Sequence, residues 1–468
     1  MKKYYIILAS DLNGGIGNNN KIPWKFITDI TYFKNLTISN VYLNLITVKN
    51  ILIMGHNTFK SLNNKPLQNR LSFVISKDYI NLNNKNTNND IKYFENFITA
   101  YNETIKYIQS EIWVIGGVTI YEQALMHYGC DKIYYTKINN KFTCDKFIDI
   151  NKYNIKWINN ITLEDLNIYD NNVYLLTFYQ GYNKFNIEIK YLELLNNVLL
   201  YGNTRNTRNS ITISKFNNKL SCNLKYGFPL LTTKKMFWKG IVEELIFFIR
   251  GDTNTNILKK KGIKIWEGNT TKEFINKMGL DYDEGIMGPM YGYQWRFFNK
   301  KYNNDNEKGI DQLKYVIEEL KTNPTSRRIL MTCYNPEQVN EGVLFPCHSI
   351  IIQFYVEDKN ISCNMYQRSA DLFLGLPFNI ASTSLLLNII GKLTNLEPYK
   401  VNLLLGDYHI YRDHIDAIKE QLTRIPNKLP KLKMKDFKDL EDIENSSYLD
   451  YIIEDYKPYP LIKAPLII

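Results

Sequence analysis

Over the first 180 residues, short apolar runs rich in β-branched and aromatic side chains alternate with segments of helical spacing. The runs are Tyr4 to Ala9, Asn50 to Met54, Leu71 to Ile75, Glu111 to Ile115, Lys132 to Thr136 and Val173 to Tyr179. Strands alternating with helices predict a mostly parallel central sheet with flanking helices, an α/β domain. Gly181 and the polar residues around it break the rhythm. From Ile187 onward Leu192, Leu195, Val198 and Leu199 resume it at helical spacing, so residues 181–186 are expected to be a short junction between domains 1–180 and 187–468. Trp238 to Arg250 reads as a helix with Ile241, Val242, Leu245 and Phe248 on its core face and Gly251 as its stop. Ile350 to Val356 and Ile361 to Met365 read as buried strands, which makes the second domain α+β. No internal repeat is visible.

Composition agrees with two globular domains, because 468 residues exceed the roughly 250–300 that one core supports. The net charge of +11 suits nucleic acid, a membrane surface or small polyanionic substrates. No basic run with interleaved aromatics stands out, so no dedicated nucleic-acid site is expected. No stretch approaches the ~20 apolar residues of a membrane span, and none is expected. Residues 1–10 imitate a signal peptide, but the apolar run is short and reads better as a first core strand. Six cysteines without a CxxC pair or zinc-like spacing point to reduced thiols, a cytoplasmic protein and no metal.

Residues 22–29, Ile-Pro-Trp-Lys-Phe-Ile-Thr-Asp, put Asp29 at the start of a helix whose next turns carry Ile30, Phe33 and Leu36. A carboxyl in an apolar pocket resists ionisation and can hold or relay a proton. The bland alternative is a helix cap or first-turn acid. Trp113 to Tyr121 is a strand running through Gly116-Gly117 into a helix, where backbone N–H groups can meet a pyrophosphate. Together with Ala9, Ile16-Gly17, Pro23-Trp24, Met54-Gly55, Thr58, Arg70, Ser76 and Thr136, these features resemble dihydrofolate reductase over nearly all of residues 1–180. The resemblance implies that Asp29, backed by Thr136, anchors the pterin and helps protonate N5 while NADPH gives hydride to C6. It places Arg70 on the α-carboxylate of the folate glutamate and Ile7, Ile22, Ile30, Phe33 and Leu62 around the ring. It assigns the cofactor to Ala9, Ile16, Gly55, His56, Asn57, Thr58, Ser76, Lys77, Gly116, Gly117 and Tyr121. The family commonly has a basic residue after Met-Gly for the 2′-phosphate of NADPH. His56 and Asn57 stand there instead, so Lys77 is expected to take over that contact.

In the second half, Phe345-Pro346-Cys347-His348 presents a cysteine between a turn and a buried strand. A reactive thiol needs positive charge nearby, and residues 367–379 supply an arginine, a hydroxyl, an acid and an amide in one segment. With Glu244, Ile265-Trp266, Gly288 to Gly292, Arg327-Arg328, the Asp407 to Tyr411 run and the closing Lys463-Ala464-Pro465, the chain looks like thymidylate synthase over residues 187–468. The resemblance implies that Cys347 attacks C6 of dUMP, that Arg368 lowers the thiol pKa, and that Asn379 reads N3–H and O4 of the base. Glu244 and Tyr291, supported by His348, would carry protons. Arg208, Arg368 and Ser369 would hold the phosphate with Arg327 and Arg328 of a neighbouring subunit, and His409 and Tyr411 the ribose. Ile265, Trp266, Asp371, Gly375 and Ala464 would contact 5,10-methylenetetrahydrofolate. The loop Arg208 to Ile211 and Asn269 depart from common family forms. The two resemblances imply a bifunctional enzyme of the protist and plant kind, a homodimer through its synthase domain. Two other readings stay open at this point: an RNA-binding protein on a synthase fold, and a synthase carrying an impaired reductase.

Overall fold

The apolar runs of the first half pair into one eight-stranded sheet. In the computed structural model the described residues are 2–39, 42–43, 46–153, 155–183, 187–207, 210–304 and 306–467. They form two compact units, Met1–Ile189 and Lys190–Ile468. The strands of the first sheet are β1 (Tyr4–Ser10), β2 (Asn50–Gly55), β3 (Arg70–Ile75), β4 (Ile91–Phe94), β5 (Ile112–Gly116), β6 (Cys130–Ile138), β7 (Ile155–Leu166) and β8 (Val173–Asn183). Their order is β7-β8-β6-β1-β5-β2-β3-β4. The six strands from β6 to β4 are parallel, and β8 and β7 close one side antiparallel. The start of the chain is therefore a central strand, with Tyr4, Ile6, Ile7 and Leu8 buried.

All six expected strands form, shifted by a residue or two at some ends, except that β8 runs four residues past Tyr179 to Asn183. The pattern missed β4 and β7. β7 is an edge strand whose side chains are mostly exposed, so no burial imprinted a period on it. Helices α1 (Ile27–Thr37), α2 (His56–Ser61) and α3 (Val118–Met126) matter most for function. The last two follow β2 and β5 directly. Because β1 lies between β5 and β6, the connections diverge there, and this switch point is where open α/β sheets take their ligands.

The second unit holds all but the first three residues of α4 (Ile187–Tyr201), with α5 (Trp238–Arg250), α6 (Gly292–Phe297), α7 (Gln312–Thr322) and α8 (Gly375–Thr394). Its six-stranded sheet is built from β9 (Asn203–Asn206), β10 (Ile211–Asn223), β11 (Leu330–Thr332), β12 (Ile351–Glu357), β13 (Asn360–Asp371) and β14 (Glu397–Tyr411) in the order β9-β10-β14-β13-β12-β11. Only the β13–β14 pair is parallel. Helix α5 ends in a left-handed Gly251, φ 74°, as its sequence suggests. It is buried on every side from Gly240 to Ile249, more than the one expected core face. The expectation that no apolar stretch is long enough for a membrane is also corrected. Helix α8 has the length and apolarity required, but 78% of that stretch is buried inside the fold, as a core helix is.

Candidate active sites

Apart from Arg70, the first residue of β3, and Ile7, in the middle of β1, the residues assigned to the first site sit at the C-terminal ends of the parallel strands or in the segments that follow them. Thr136 on β6 is buried beside Ala9 of β1 and Phe178 of β8, and it hydrogen-bonds the Asp29 carboxyl. Burial pushes Asp29 up to about 6; Thr136 opposes the rise and the Asp165 charge adds to it. Asp29 lies in the first turn of α1 but caps nothing. Asp165 of β7 supplies the cap, accepting from Thr28 N at 2.9 Å, and Asn167 Oδ1 accepts from Lys25 N at 2.9 Å. That leaves the Asp29 oxygens for chemistry.

Ile7, Leu52, Met54, Phe59 and Trp113 form one buried cluster against which Phe33 and Leu62 pack. Ile22 and Ile30 are 60% and 46% exposed, apolar surface on either side of Asp29 in sequence. Arg70 is buried over the Phe33 ring, 5.9 Å to its centroid. Nη1 donates to Thr37 Oγ1 at 2.8 Å and Nε to the Gln68 carbonyl at 3.1 Å. The fork is thereby preset.

Gly116 has φ +105°, and a Cβ there would stand 2.6 Å from the Tyr121 ring, so only glycine fits. The Gly116–Gly117 peptide is cis, and Tyr121 donates to the Ile7 carbonyl at 2.8 Å. Helices α2 and α3 begin at Gly55 and Gly117 with no side-chain cap, which leaves backbone donors available for phosphates. These features fit a dinucleotide. His56 Nδ1 lies 3.0 Å from Ser76 Oγ; burial, then Lys60, lowers its pKa, so it brings no charge at neutral pH. Lys77 beside Ser76 is exposed. Ile16 belongs to a short strand, Gly15–Gly17, approached through a loop that Asp11 organises. Asp11 accepts from Asn13 N at 2.9 Å, Gly15 N at 2.7 Å and Phe142 N at 2.9 Å. The sequence reading passed over Asp11, Thr37 and Asp165. An Asp-x-x-Gly-Gly turn was the available signal for the first; the other two act across the fold.

In the second unit Glu244 and Phe248 are one turn apart on α5, hence on one face. Phe248 stacks on Tyr291 at 5.1 Å and touches the rings of Trp266 and His348. Gly292 permits that approach, because a Cβ there would lie 2.2 Å from the Phe248 carbonyl oxygen. Trp266 Nε1 donates to Glu244 Oε1 at 2.8 Å. Burial still carries Glu244 up to about 7, in the range for holding or passing a proton at neutral pH.

Cys347 N donates to Tyr291 Oη at 3.2 Å, which leaves the phenolic hydrogen for Cys347 Sγ at 3.4 Å. Arg368 donates Nε to the Pro346 carbonyl at 3.1 Å and holds the turn before the thiol. Burial pushes the thiol up, while the Tyr291 bond and the Arg368 charge pull it down. Arg368 thus lowers the thiol pKa as expected, but burial outweighs it and the net shift is upward. His348 stacks on Tyr291 at 4.6 Å, and burial drops it to about 4, so it is neutral.

Gln367 Nε2 donates to the Ser369 carbonyl at 3.2 Å and to Asn379 Oδ1 at 2.9 Å. A carbonyl only accepts, so this orients both amides and leaves Asn379 Nδ2 to donate to a ligand. Gln367 was not foreseen, although it precedes Arg368. His409 Nδ1 meets Asp407 Oδ1 at 3.1 Å; with the proton there, Nε2 accepts. Tyr411 lies edge-on to His409, with ring centroids 5.2 Å apart. Asp371 accepts from the Phe373 and Leu374 amides just before Gly375 opens α8. Ile265 is half-buried beside Trp266. Arg327 and Arg328 are exposed before β11, and neither guanidinium has a partner among the described residues. Arg208 lies outside the described residues.

Comparison with known proteins matches residues 3–180 to the dihydrofolate reductase family and residues 189–468 to the thymidylate synthase family. A bifunctional dihydrofolate reductase-thymidylate synthase of Paramecium tetraurelia is 38% identical over 97% of this chain and 96% of its own. A relative of the same name from Arabidopsis thaliana, numbered 1, is 34% identical over 99% and 96%. One from Plasmodium berghei is 34% identical over 94% and 92%.

Proposed function

Because the chain belongs to the bifunctional dihydrofolate reductase–thymidylate synthase family, it makes dTMP from dUMP and reduces the resulting dihydrofolate, and we propose that the residues above divide this work. The observation that carries the synthase assignment is the Tyr291–Cys347 pair beside Arg368 and neutral His348. Cys347 attacks C6 of dUMP as its proton leaves, and Asn379 donates to O4 while Gln367 holds its oxygen. A cytosine amino group at that position would oppose a donor, which separates the bases. Glu244 and Tyr291 move protons at O4 and C5. 5,10-Methylenetetrahydrofolate gives the methylene to C5 and then a hydride, leaving dTMP and dihydrofolate. Trp266, Ile265, Asp371, Gly375 and Ala464 receive that folate, and His409 and Tyr411 receive the ribose.

In the reductase half, NADPH supplies the hydride. Asp29 holds the pterin and its proton, Arg70 binds the glutamate carboxylate, and the amides of Gly55 and Gly117 with Thr58 and Ser76 receive the cofactor phosphates. Asp29 ionises through about pH 6. The kcat/KM for dihydrofolate should therefore fall as pH rises above 6, and Asp29→Asn should erase that bend. Folding stability should also fall as pH rises, over a lower window. A raised acid is protonated in the fold where the unfolded chain is ionised, so the native state loses stability from the usual aspartate pKa up to about 6. Asp29→Asn should then raise the melting temperature at pH 8. A lower one would show that the charged carboxylate stabilises the fold.

With His56 neutral, Lys77 is the charge left for the 2′-phosphate of NADPH. Lys77→Ala should raise the KM for NADPH about tenfold, the scale of one charge-assisted contact, and leave the KM for NADH unchanged. Equal losses for both cofactors would remove Lys77 from that role.

The outer face of the synthase sheet supports a homodimer. Tyr355 is 66% exposed there, with Leu330, Ile351 and Tyr366 across neighbouring strands, an apolar patch that pairing would cover. By strand alternation Arg368 leaves β13 on the same exposed side as Tyr366, where arginines 327 and 328 of a second subunit could join it on phosphate. Residues 181–186 are taken as the junction between the two activities, its first three residues being the end of β8. The six cysteines are free, which supports a reducing, cytoplasmic setting.

A further inference from the structure

His414 belongs to none of the motifs above, yet it joins two parts of the synthase unit. It sits between β14 and the helix Ile415–Leu422, fully buried. Its Nε2 is 2.8 Å from the Pro465 carbonyl oxygen, and its Nδ1 is 3.7 Å from Asp371 Oδ1 with no hydrogen-bond partner. A carbonyl oxygen can only accept, so Nε2 carries a hydrogen whenever Pro465 is docked. A bare Nδ1 would then aim its lone pair at a carboxylate. Only the imidazolium suits both neighbours. The Phe373 and Leu374 amides keep the Asp371 oxygens in place, at 2.9 and 3.3 Å.

The other groups around the ring agree. Phe373 and Tyr411 flank it, each 5.4 Å away between ring centroids. Burial pulls the His414 pKa down, but the contacts with Asp371 and Pro465 and the Asp371 charge outweigh burial and the opposing Lys234, and the pKa lies above its ordinary value. Burial raises Asp371, but His414 and the Phe373 amide hold it below the ordinary carboxylate value.

We propose that His414 is a positioning residue for the folate co-substrate: as an imidazolium it latches the Ala464–Pro465 tail to Asp371, so that tail docking and protonation of His414 are one event. The functional half rests on the assignment of Asp371 and Ala464 to folate. The latch is complete below the ordinary histidine pKa and is lost as pH rises through the raised value.

Five histidines make the test tractable in the full-length enzyme labelled with ¹⁵N-histidine. The His414 signals, identified by their loss in His414→Gln, should show both ring nitrogens protonated at pH 7. Their midpoint should fall in a chain ending at Lys463. A neutral ring at pH 7, or a midpoint indifferent to the truncation, overturns the latch. In kinetics, His414→Gln and the truncation should each raise the synthase KM for 5,10-methylenetetrahydrofolate roughly ten- to a hundredfold, the worth of a hydrogen bond to a charged group. Both should flatten its increase with pH and leave the reductase KM for dihydrofolate unchanged. A folate KM that keeps its wild-type value and pH dependence overturns the positioning role. An unchanged folate KM in Asp371→Asn overturns the folate assignment beneath it, separately from the NMR result.

Discussion

Cys347→Ala should abolish dTMP formation, a loss of about 10⁴-fold or more because no other group replaces a covalent nucleophile, while NADPH-dependent reduction of dihydrofolate continues at the wild-type rate. Asp29→Ala should do the reverse, lowering the reductase by the ~10²–10⁴ that general acid–base groups supply and sparing the synthase. The reason is structural. Cys347 is held by Tyr291 and faces Arg368 in the second unit, and Asp29 is held by Thr136 in the first. The two constellations lie in different units. The measurement is two uncoupled assays on one preparation: NADPH oxidation with added dihydrofolate, and dTMP formation with added 5,10-methylenetetrahydrofolate. Loss of both activities from either substitution in a folded protein would show that the residue serves the whole chain and not one reaction.

Mixing two dead synthases should restore activity. On the proposed homodimer, Cys347→Ala dimers lack the nucleophile, and dimers carrying Arg327→Glu with Arg328→Glu turn two added acids on the substrate phosphate at each site. Arg327 and Arg328 are exposed and without partners among the described residues of their own subunit, as suits groups that serve another. A phosphate dianion needs several charge-assisted contacts, so a site deprived of two arginines binds dUMP poorly. In a two-fold dimer each mixed pair contains one site with an intact Cys347 facing intact arginines. Random re-pairing makes half the dimers mixed, each with one working site of two, and about a quarter of wild-type activity should return. The two variants are denatured together, refolded and compared with each refolded alone, with differential tags counting mixed dimers. Mixed dimers without recovered activity would place the arginines' work inside their own subunit.

The contrast between Asp29 and Glu244 shows what a sequence can and cannot say about a proton carrier. Both residues are legible as candidates, Asp29 from the apolar positions after it and Glu244 from the family pattern. Neither environment is legible. Asp29 is raised by burial, and the cap of its helix comes from Asp165, 136 positions later, while Glu244 is bonded by Trp266 from a different segment. The case of Arg368 is sharper still. Its charge does pull on the Cys347 thiol, but how deeply the thiol is buried decides the net direction, and burial is a property of the packed unit.

What the sequence determined by itself was the local periodic content and the chemical inventory. Central strands such as β1 and β2 are buried on both faces, so their apolar runs announce them, and the Gly116-Gly117 turn, Cys347 and the segment from Gln367 to Asn379 declare their chemistry by residue type and order. The tertiary structure decided everything that depends on atoms far apart in the chain. It made β7 a strand through pairing with β8 and not through burial. It turned Gln367 into the group that orients Asn379, and it set His414 between Asp371 and Pro465. The physical reason is the same in each case. Secondary-structure signals come from neighbours within a few residues, whereas hydrogen-bond orientation, protonation and exposure are set by neighbours that only folding brings within a few ångströms.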